Sequence, residues 1–373
     1  MKYAADNFLE TAKQVWKEFQ RTEHDQLLVL FGEENAPDLD RFVEDCRNAG
    51  IPVFGGLYTG VIHGGEFFKN GALYSVVPAP LGVHVVHKVG KHPEISDNLN
   101  NLDLSGHESW SIILLIDGLM THISNMLSGL HDVFGDKVNF FGGGAGSFSL
   151  VQQPCIFSSE GVFQDAAIIC PMPLKSGIGV KHGWEQIYGP VVATRTEGNT
   201  IYELNWEPAM EVYGKIVSEN AGQEIKADNF FSIAKAYPFG IYREREEFIV
   251  RDPLIANEDG SITCVGEVPE NTVLNILKGD QKSLLNAANQ AAAMALLPDR
   301  ELSALFVVDC ISRTLFLEND FEKEIEMVKK AVPGKKPSGV TTLGEIASED
   351  SGSLLTFFNK TVVVSAIYNE PTG

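Results

Sequence analysis

Three stretches of the chain show the same succession of apolar runs and amphipathic segments. Each begins with a strand-like apolar run, which reads LLVLFG at 27–32, SIILLIDG at 111–118 and ALFVVDC at 304–310. A segment with apolar residues at helical spacing follows each run, as in FEKEIEMVKKAV. A second apolar run, a glycine-bearing bend and a hairpin complete each stretch. The pattern therefore predicts an internal repeat of β-α-β-β-β units.

The hairpins of the first and third stretches correspond closely. FFKNGALYSVV and FFNKTVVVSAI both consist of an aromatic pair, a polar turn and a strand-like run. Asn70 and Gly71 form a dipeptide typical of tight hairpin turns. In the bends, Gly60 of the first stretch corresponds to Gly344 of the third.

A segment between the second and third stretches predicts a weaker, diverged fourth unit. EPAMEVYGKIVSENAG has the pattern of a helix, and YPFGI, EEFIVRDPL and SITCVGEV have the pattern of strands. Four units predict two per domain.

The succession of elements predicts an α+β fold with mixed sheets. β-α-β units produce parallel neighbours and hairpins produce antiparallel ones, with helices on the outer faces. The chain has no Gly/Ser-rich linker, so we expect two closely packed domains that divide within YGPVVATRTEGN. We predict an N-terminal helix within 1–23, a first domain over 24–195 and a second over 196–370.

Composition excludes several classes of partner. The 373 residues carry a formal charge of -21, which argues against binding to nucleic acid or to an anionic membrane. No stretch approaches the ~20 apolar residues of a membrane span, and the N-terminus lacks a signal-peptide core. The five cysteines are scattered without a C-x-x-C pair. We therefore expect a cytoplasmic protein with no metal and no cofactor.

The stretch VNFFGGGAGSFS at 138–149 fits none of the common glycine motifs. It lacks the helix start of a dinucleotide site, the lysine of a P-loop and the frame of a nucleophile elbow. Two interpretations stay open. The glycines allow a sharp bend or a close approach of another segment, or the amides of Gly142 and Gly143 line a ligand pocket.

Polar residues follow the third apolar strand directly, where open α/β sheets bind ligands. Asp309 could accept hydrogen bonds from an amine, and Arg313 could hold a carboxylate with two donors. Alternatively, Asp309 caps the turn and pairs with Arg313. Cys310 is either a small buried side chain or a nucleophile, although no histidine lies in that half of the sequence to activate it.

Other polar candidates lie in the C-terminal half. Arg251 ends the strand EEFIV and is either a buried clamp or a solvated pair. Glu345 stands in the third bend where the first carries Val61, so it is either a site residue or a solvated edge. The same bend contains Thr342. The predicted ligand-binding residues are Gly142, Gly143, Arg251, Asp309, Cys310, Arg313, Thr342 and Glu345.

An ordered series of motifs resembles the FIST domain family. IILLIDG, FFGGGAG and GNTIYELNWEPAMEVY come first, followed by KAYPFGI, FIVRDPL, DGSITCVGEVPENT, DCISR and GVTTLGEI. The resemblance covers roughly 24–368, with the FIST N-terminal part before the C-terminal part. It implies a sensory module that binds amino acids or related small metabolites, without an established catalytic set. Many bacterial relatives are fused to output domains, and a eukaryotic branch follows an F-box. Because only about two dozen residues precede Leu27 and few follow Ile367, we expect a stand-alone member of the prokaryotic type.

The leading hypothesis is a sensor that binds a small polar ligand and acts in signal transduction, with a signalling protein as partner. Arg251 and Arg313 would bind a carboxylate, and Asp309 or Glu345 an amine. A cysteine-dependent hydrolase or transferase and a protein-interaction scaffold are the alternatives. The expected partners include neither nucleic acid nor membrane.

Overall fold

The computed structural model describes residues 1–87, 99, 102–243, 247–298, 300–348 and 355–368. These residues form three six-stranded sheets with the same order of strands and a fourth, seven-stranded sheet. Each of the three similar sheets takes most of its strands from one unit of the chain.

The first two units span the N-terminal part of the chain. The elements of the first unit are β1 (Lys2–Ala4), α1 (Phe8–Phe19), β2 (Asp25–Gly32), α2 (Leu39–Asn48), β3 (Val53–Tyr58), β4 (Gly60–His63), β5 (Glu66–Phe68) and β6 (Ala72–Pro78). Those of the second unit are β7 (His84–His87), β8 (Trp110–Asp117), α3 (Ile123–Phe134), β9 (Val138–Ala145), β10 (Ile156–Ser158), β11 (Gly161–Phe163) and β12 (Ala166–Met172).

The third unit is interrupted after its first strand, β13 (Lys175–Lys181), by residues 185–278, which we call the insert. The elements of the insert are β14 (Glu185–Glu197), β15 (Thr200–Leu204), β16 (Glu207–Pro208), α4 (Ala209–Ala221), α5 (Phe230–Ala234), β17 (Phe239–Ile241), β18 (Ile249–Ala256), β19 (Ile262–Val265) and β20 (Thr272–Lys278). The third unit then continues with α6 (Gln281–Met294), β21 (Leu302–Cys310), α7 (Ile311–Leu317), α8 (Phe321–Ala331), β22 (Ser338–Thr342), β23 (Glu345–Ala347), β24 (Thr356–Phe358) and β25 (Val362–Tyr368).

The three units exchange hairpins in a cycle. The orders of the sheets are β1-β6-β2-β3-β10-β11, β7-β12-β8-β9-β23-β24 and β13-β25-β21-β22-β4-β5. Each sheet therefore ends in a hairpin from another unit. The hairpin at the edge of the first sheet comes from the second unit. The hairpin of the second sheet comes from the third unit, and that of the third sheet comes from the first unit. The three sheets together form what we call the body.

Each sheet of the body contains a parallel pair at its centre, formed by β2 with β3, β8 with β9, and β21 with β22. The pairings that flank these are antiparallel. The helices that join the parallel strands lie on the outer faces and contribute to separate outer cores. The inner faces of all three sheets pack on one another in a shared central core. The α+β prediction with mixed sheets and outer helices is thus confirmed.

The bends that follow the parallel pairs meet at the centre of the body. The Gly144 amide donates to the Gly344 carbonyl at 2.9 Å, and the Gly146 amide donates to the Leu57 carbonyl at 2.8 Å. A Cβ atom on Gly142 would lie 1.9 Å from the Leu114 carbonyl oxygen, and one on Gly144 would lie 2.5 Å from that of Leu343. Close backbone approach therefore requires glycine in the FFGGGAG stretch.

The fourth sheet differs from the other three. Its strands pair antiparallel throughout, in the order β14-β20-β17-β18-β19-β15-β16, and it has its own core with α4 and α5. The prediction of a diverged fourth unit is therefore wrong, although its helix and strands lie where the pattern placed them. The third sheet pairs strands from both predicted domains, since β13 and β4 flank β25 and β22.

Candidate functional site

The strand β21 delivers Asp309 and Cys310 to opposite faces of the third sheet, because side chains alternate along a strand. Val307, two residues before Asp309, packs in the outer core, and Val308 packs in the central core. The helix α7 begins at the next residue, Ile311, and places Arg313 in its first turn. The predicted site residues of this strand therefore form an outer and an inner group.

The outer group is centred on Arg313, which is completely buried. Its Nε donates to Oε1 of Glu324 on α8 at 2.7 Å, and Nη2 also contacts that carboxylate. The remaining donors bond to the carbonyls of His182, Lys360 and Leu284. All five N–H groups of the guanidinium thus have acceptors within the protein.

Asp309 lies beside this pair without a hydrogen bond to its Oδ1, which is 3.5 Å from Nε of Arg313. Burial raises the pKa of Asp309 well above its ordinary value, and the neighbouring Glu324 carboxylate adds to the effect. Burial also raises the pKa of Glu324, against the attraction of Arg313. The two carboxylates outweigh burial at Arg313, whose pKa is raised, so the guanidinium stays charged.

The inner group is built around Glu345 at the start of β23. Its Oε1 accepts from the Thr342 hydroxyl at 2.9 Å, and its Oε2 accepts from the Thr361 amide at 3.2 Å. Burial raises the pKa of Glu345 to about 8, although these bonds and one with Cys310 oppose the shift. Burial also raises the pKa of the Cys310 thiol well above its ordinary value. The inner group is therefore a hydrogen-bonded carboxyl and a protonated thiol.

A buried turn between β24 and β25 connects the body to the insert. Lys360 in this turn adopts φ 55° and is completely buried. Its Nζ donates to the Lys235 carbonyl at 2.8 Å and lies 3.1 Å from Oδ1 of Asp252, both in the insert. The Ser312 hydroxyl of α7 donates to the other oxygen of Asp252 at 2.6 Å. Charged groups of the insert and the third unit thus form one continuous network.

Arg251 lies at the edge of this network. Its Nε donates to the Glu267 carbonyl at 2.9 Å, and its Nη1 lies 3.3 Å from both the Phe357 carbonyl and Oδ1 of Asn359. Burial lowers the pKa of Arg251 to about 10. Of the two hypotheses for Arg251, the geometry matches a buried clamp, which holds the turn that contains Lys360.

The glycines of the predicted set adjoin the inner group. Gly143 pairs with Glu345 across β9 and β23, and a Cβ atom on Gly143 would lie 3.0 Å from Cγ2 of Thr342. Gly142 is next to it on β9. Packing alone accounts for glycine at both positions.

The first two sheets provide an internal comparison for the third. The last two residue pairs of the third parallel ladder are Asp309 with Thr341 and Cys310 with Thr342. The corresponding pairs in the first sheet are Phe31 with Leu57 and Gly32 with Tyr58, and those in the second sheet are Ile116 with Gly144 and Asp117 with Ala145. The one charged residue in the corresponding positions, Asp117, accepts bonds from Leu119, Gln152 and Asp165 and so organises a loop. In the ranges that the structure describes, the body therefore forms this bend twice without a network of buried charges.

Sequence reasoning missed three members of the network, namely Asp252, Glu324 and Lys360. The sequence pattern could have indicated that Glu324 is buried, because it lies on the same face of α8 as the apolar residues Phe321, Ile325 and Val328. Asp252 stood in the RDPL motif beside Arg251. For Lys360 the pattern indicated a polar hairpin turn, as at the half-buried Asn70 of the first unit, but the insert and the Trp184 ring bury it. We call these three residues with Asp309, Cys310, Arg313, Thr342 and Glu345 the third-sheet cluster.

Two cavities lie away from this cluster. One of about 630 Å³ is lined by Leu102, Trp110 and Phe134 among others, and one of about 410 Å³ lies beside the lysines that follow α8. Within the described part of the chain, no group of three or more His, Cys, Asp or Glu residues could hold a metal ion. No helix in the described ranges is long and apolar enough to cross a membrane.

Comparison with known families identifies the class. The profile of the FIST N domain matches residues 26–207, and that of the FIST C domain matches 209–348. The chain therefore belongs to the FIST family, whose domains are sensory domains of signal transduction. No curated protein matches the chain.

Proposed function

We propose that this FIST protein is a sensor that binds a small polar metabolite, such as an amino acid or a relative of one, at the third-sheet cluster. One observation carries the proposal. The body repeats the same bend three times, and among the described residues only the third bend is surrounded by a network of buried charges. Replacing buried ion pairs by apolar residues is often neutral or stabilising, so the fold alone does not require these charges. We attribute them to binding.

The position of the cluster supports a binding role. Asp252 and Lys235 belong to the insert, whereas Lys360, Ser312 and Arg313 belong to the third unit. Ligand sites occur preferentially where two structural units meet. In our proposal, a ligand enters when the insert and the body separate, which breaks the contact between Lys360 and Asp252. That separation is the change that a signalling partner would detect.

We propose different roles for the predicted residues, guided by their contacts. Glu345 and Asp309 are the groups that we propose to bind the ligand, beside Thr342 and Cys310. Arg313 holds Glu324 and three carbonyls in place, and Arg251 holds the turn that contains Lys360. Gly143 keeps the space beside Thr342 free of a side chain, and Gly142 allows the close approach of the Leu114 backbone.

The structure does not favour the cysteine-dependent alternative. Catalysis by Cys310 needs a thiolate, and thiolates form where a positive environment depresses the pKa. Burial instead raises the pKa of this thiol, and the Glu345 carboxyl raises it further.

Isothermal titration of the folded protein against a panel of amino acids tests the proposal. We expect saturable binding with one site per chain, weakened at least about tenfold by Glu345→Gln, because the neutral amide cannot balance a ligand charge. Glu322→Gln, at an exposed position of α8, is the matched control and should bind like the wild type. Absence of binding at millimolar concentration to both the panel and the amines tested below, or equal binding by Glu345→Gln, contradicts the proposal.

A further inference from the structure

In the third-sheet cluster, hydrogen-bond acceptors without a partner outnumber donors without a partner. Arg313 has no donor left, since each of its five N–H groups already bonds to the protein. The Lys360 ammonium contacts the Lys235 carbonyl, Asp252 and the face of the Trp184 ring. The cations at the centre of the cluster therefore have little capacity for a ligand carboxylate.

Acceptors without a hydrogen-bond partner are in excess in the same cluster. Within the described ranges, three buried carboxylate oxygens of the cluster have no hydrogen-bond partner, and these are Oδ1 of Asp309, Oε2 of Glu324 and Oδ1 of Asp252. Asp252 and Glu324 have charged partners at close range, in Lys360 and Arg313. The charged partner of Asp309 is Arg313, at the longer distance of 3.5 Å. Buried acceptors without donors are costly, so this arrangement favours a ligand that donates.

The balance of charge leads to the same conclusion. The four carboxyl groups of Asp252, Asp309, Glu324 and Glu345 accompany two cations in ion pairs, Arg313 and Lys360. With all four carboxyls ionised, the cluster would be two positive charges short, or one short if Arg251 is included. Protons on Asp309 and Glu345 make up this difference until a cation replaces them. The net charge of -21 on the whole chain also attracts cations to its surface.

We propose that the cluster recognises its ligand through a protonated amine that bonds to Asp309 and Glu324, and not through a carboxylate. The ligand class is therefore that of primary amines, including diamines. This inference rests on the function proposed above and narrows it. An amino acid would bind by its amino group, and its carboxylate would contribute little.

Binding of an amine should displace protons from the cluster. Asp309 is faced by Arg313 from α7, Glu324 from α8 and Glu345 from β23, and Glu345 is also faced by Cys310 from β21. Burial raises the pKa of both Asp309 and Glu345, which favours the protonated carboxyls when no amine is bound. Affinity for an amine should therefore increase between pH 6 and pH 8, about tenfold for each proton released per pH unit.

Titration of the full-length protein with cadaverine, glutarate and lysine tests the inference. Cadaverine carries two amines and no carboxylate, glutarate has two carboxylates at similar spacing, and lysine carries both kinds of group. We expect cadaverine and lysine to bind and glutarate not to bind. Asp309→Asn and Glu324→Gln should each weaken cadaverine at least about tenfold, and Glu322→Gln should leave it unchanged. Circular dichroism checks that each variant is folded.

The outcomes separate the two proposals. Binding of glutarate at least as tight as that of cadaverine overturns amine recognition, but leaves a sensory site at the cluster intact. Binding of cadaverine that is unaffected by both Asp309→Asn and Glu324→Gln overturns this inference and places the amine elsewhere. If amino acids bind through Glu345 but cadaverine does not, the ligand requires a carboxylate and the inference is wrong.

Discussion

Arg313 shows how a single residue organises the buried network. It holds the carboxylate of Glu324 and three backbone carbonyls, which belong to α6, to the segment between β13 and β14 and to the turn before β25. A guanidinium is suited to this task because its donors form a rigid planar fork. The residue therefore fixes the relative positions of three segments of the chain around the candidate site.

Replacing Arg313 by alanine should destabilise the protein strongly. The change leaves Glu324 buried without its partner, which costs about 3–5 kcal/mol in the free energy of unfolding. Lysine should not restore the stability, because one ammonium cannot reach all four acceptors. Urea denaturation measures the loss, and Arg195→Ala serves as a control because this exposed side chain pairs with Glu203 at the surface. A loss below about 1 kcal/mol for Arg313→Ala would show that the buried pair contributes no more than a surface one.

Glu345 should make stability depend on pH. Its pKa is about 8 in the folded protein against an ordinary value of 4.5, so between these values the folded state holds a proton that the unfolded chain has lost. The contribution of Glu345 to the stability of the fold is therefore complete below about pH 4.5 and is lost as the pH rises to about 8. Glu345→Gln removes this contribution, and the difference in unfolding free energy between variant and wild type should grow by up to about 1.4 kcal/mol per pH unit. Parallel stability curves for the two proteins from pH 5 to pH 8 would contradict the assignment.

Elements of regular structure were predictable where the pattern was local. The three apolar strands, their amphipathic helices and the hairpins with aromatic pairs lie where the periodicity placed them. The exchange of hairpins was not predictable, because pairing of β4 with β22 or β23 with β9 depends on contacts between distant parts of the chain. The fourth unit was predicted wrongly for the same reason. A helix followed by short strands has the same local pattern in a β-α-β unit as in the antiparallel sheet of the insert.

The candidate site was predictable in part. Asp309, Arg313 and Glu345 could be selected because polar residues at strand ends and in bends stand out from their apolar surroundings. Their division between the two faces of the sheet followed only from the orientation of β21. Asp252 joins the site only because the insert docks on the third unit, and this docking produces no local pattern in the sequence. The position of the domain boundary remains a prediction. The internal repeat in the sequence also remains a prediction.

The glycines of β9 should be intolerant of a methyl group. Gly142→Ala would place Cβ 1.9 Å from the backbone oxygen of Leu114 in the neighbouring strand, and a backbone atom cannot move aside as a flexible side chain can. We expect a loss of about 3 kcal/mol or more in unfolding free energy. Gly106→Ala is the control, since nothing lies within 4 Å of its added Cβ. Thermal denaturation compares the two, and similar melting temperatures would contradict the close packing of the central strands.

The described residues form a body with three interlocked sheets and an insert that docks on the third of them. The contact of Lys360 with Asp252 and with the Lys235 carbonyl lies at the junction between the third unit and the insert. Val250 and Leu277 of the insert pack in the apolar outer core of the third unit beside these polar contacts. In our proposal, the docked insert lets the third sheet respond to a ligand, and the other two sheets have no such insert among the described residues.

Lys360→Met should loosen the insert from the body. The variant leaves Asp252 buried opposite an apolar side chain, and we expect a loss of about 3 kcal/mol or more in unfolding free energy. Amide hydrogen exchange should become faster in α5, which ends beside Lys235, and in β18, which carries Asp252, while β2 and β8 keep their protection. Lys282→Met, at an exposed position of α6, is the matched control and should leave exchange unchanged. Uniform acceleration in all sheets would indicate global destabilisation and contradict a local junction.

We propose that ligand binding takes place at the third-sheet cluster. The decisive experiment is a crystal structure of the protein soaked with the tightest binder from the amino-acid and amine panels. We expect density for the compound within hydrogen-bond distance of Asp309 or Glu345, with the insert displaced from its position in the free protein. Density confined to the cavity beside Trp110, or at the corresponding bends of the first and second sheets, would contradict the account.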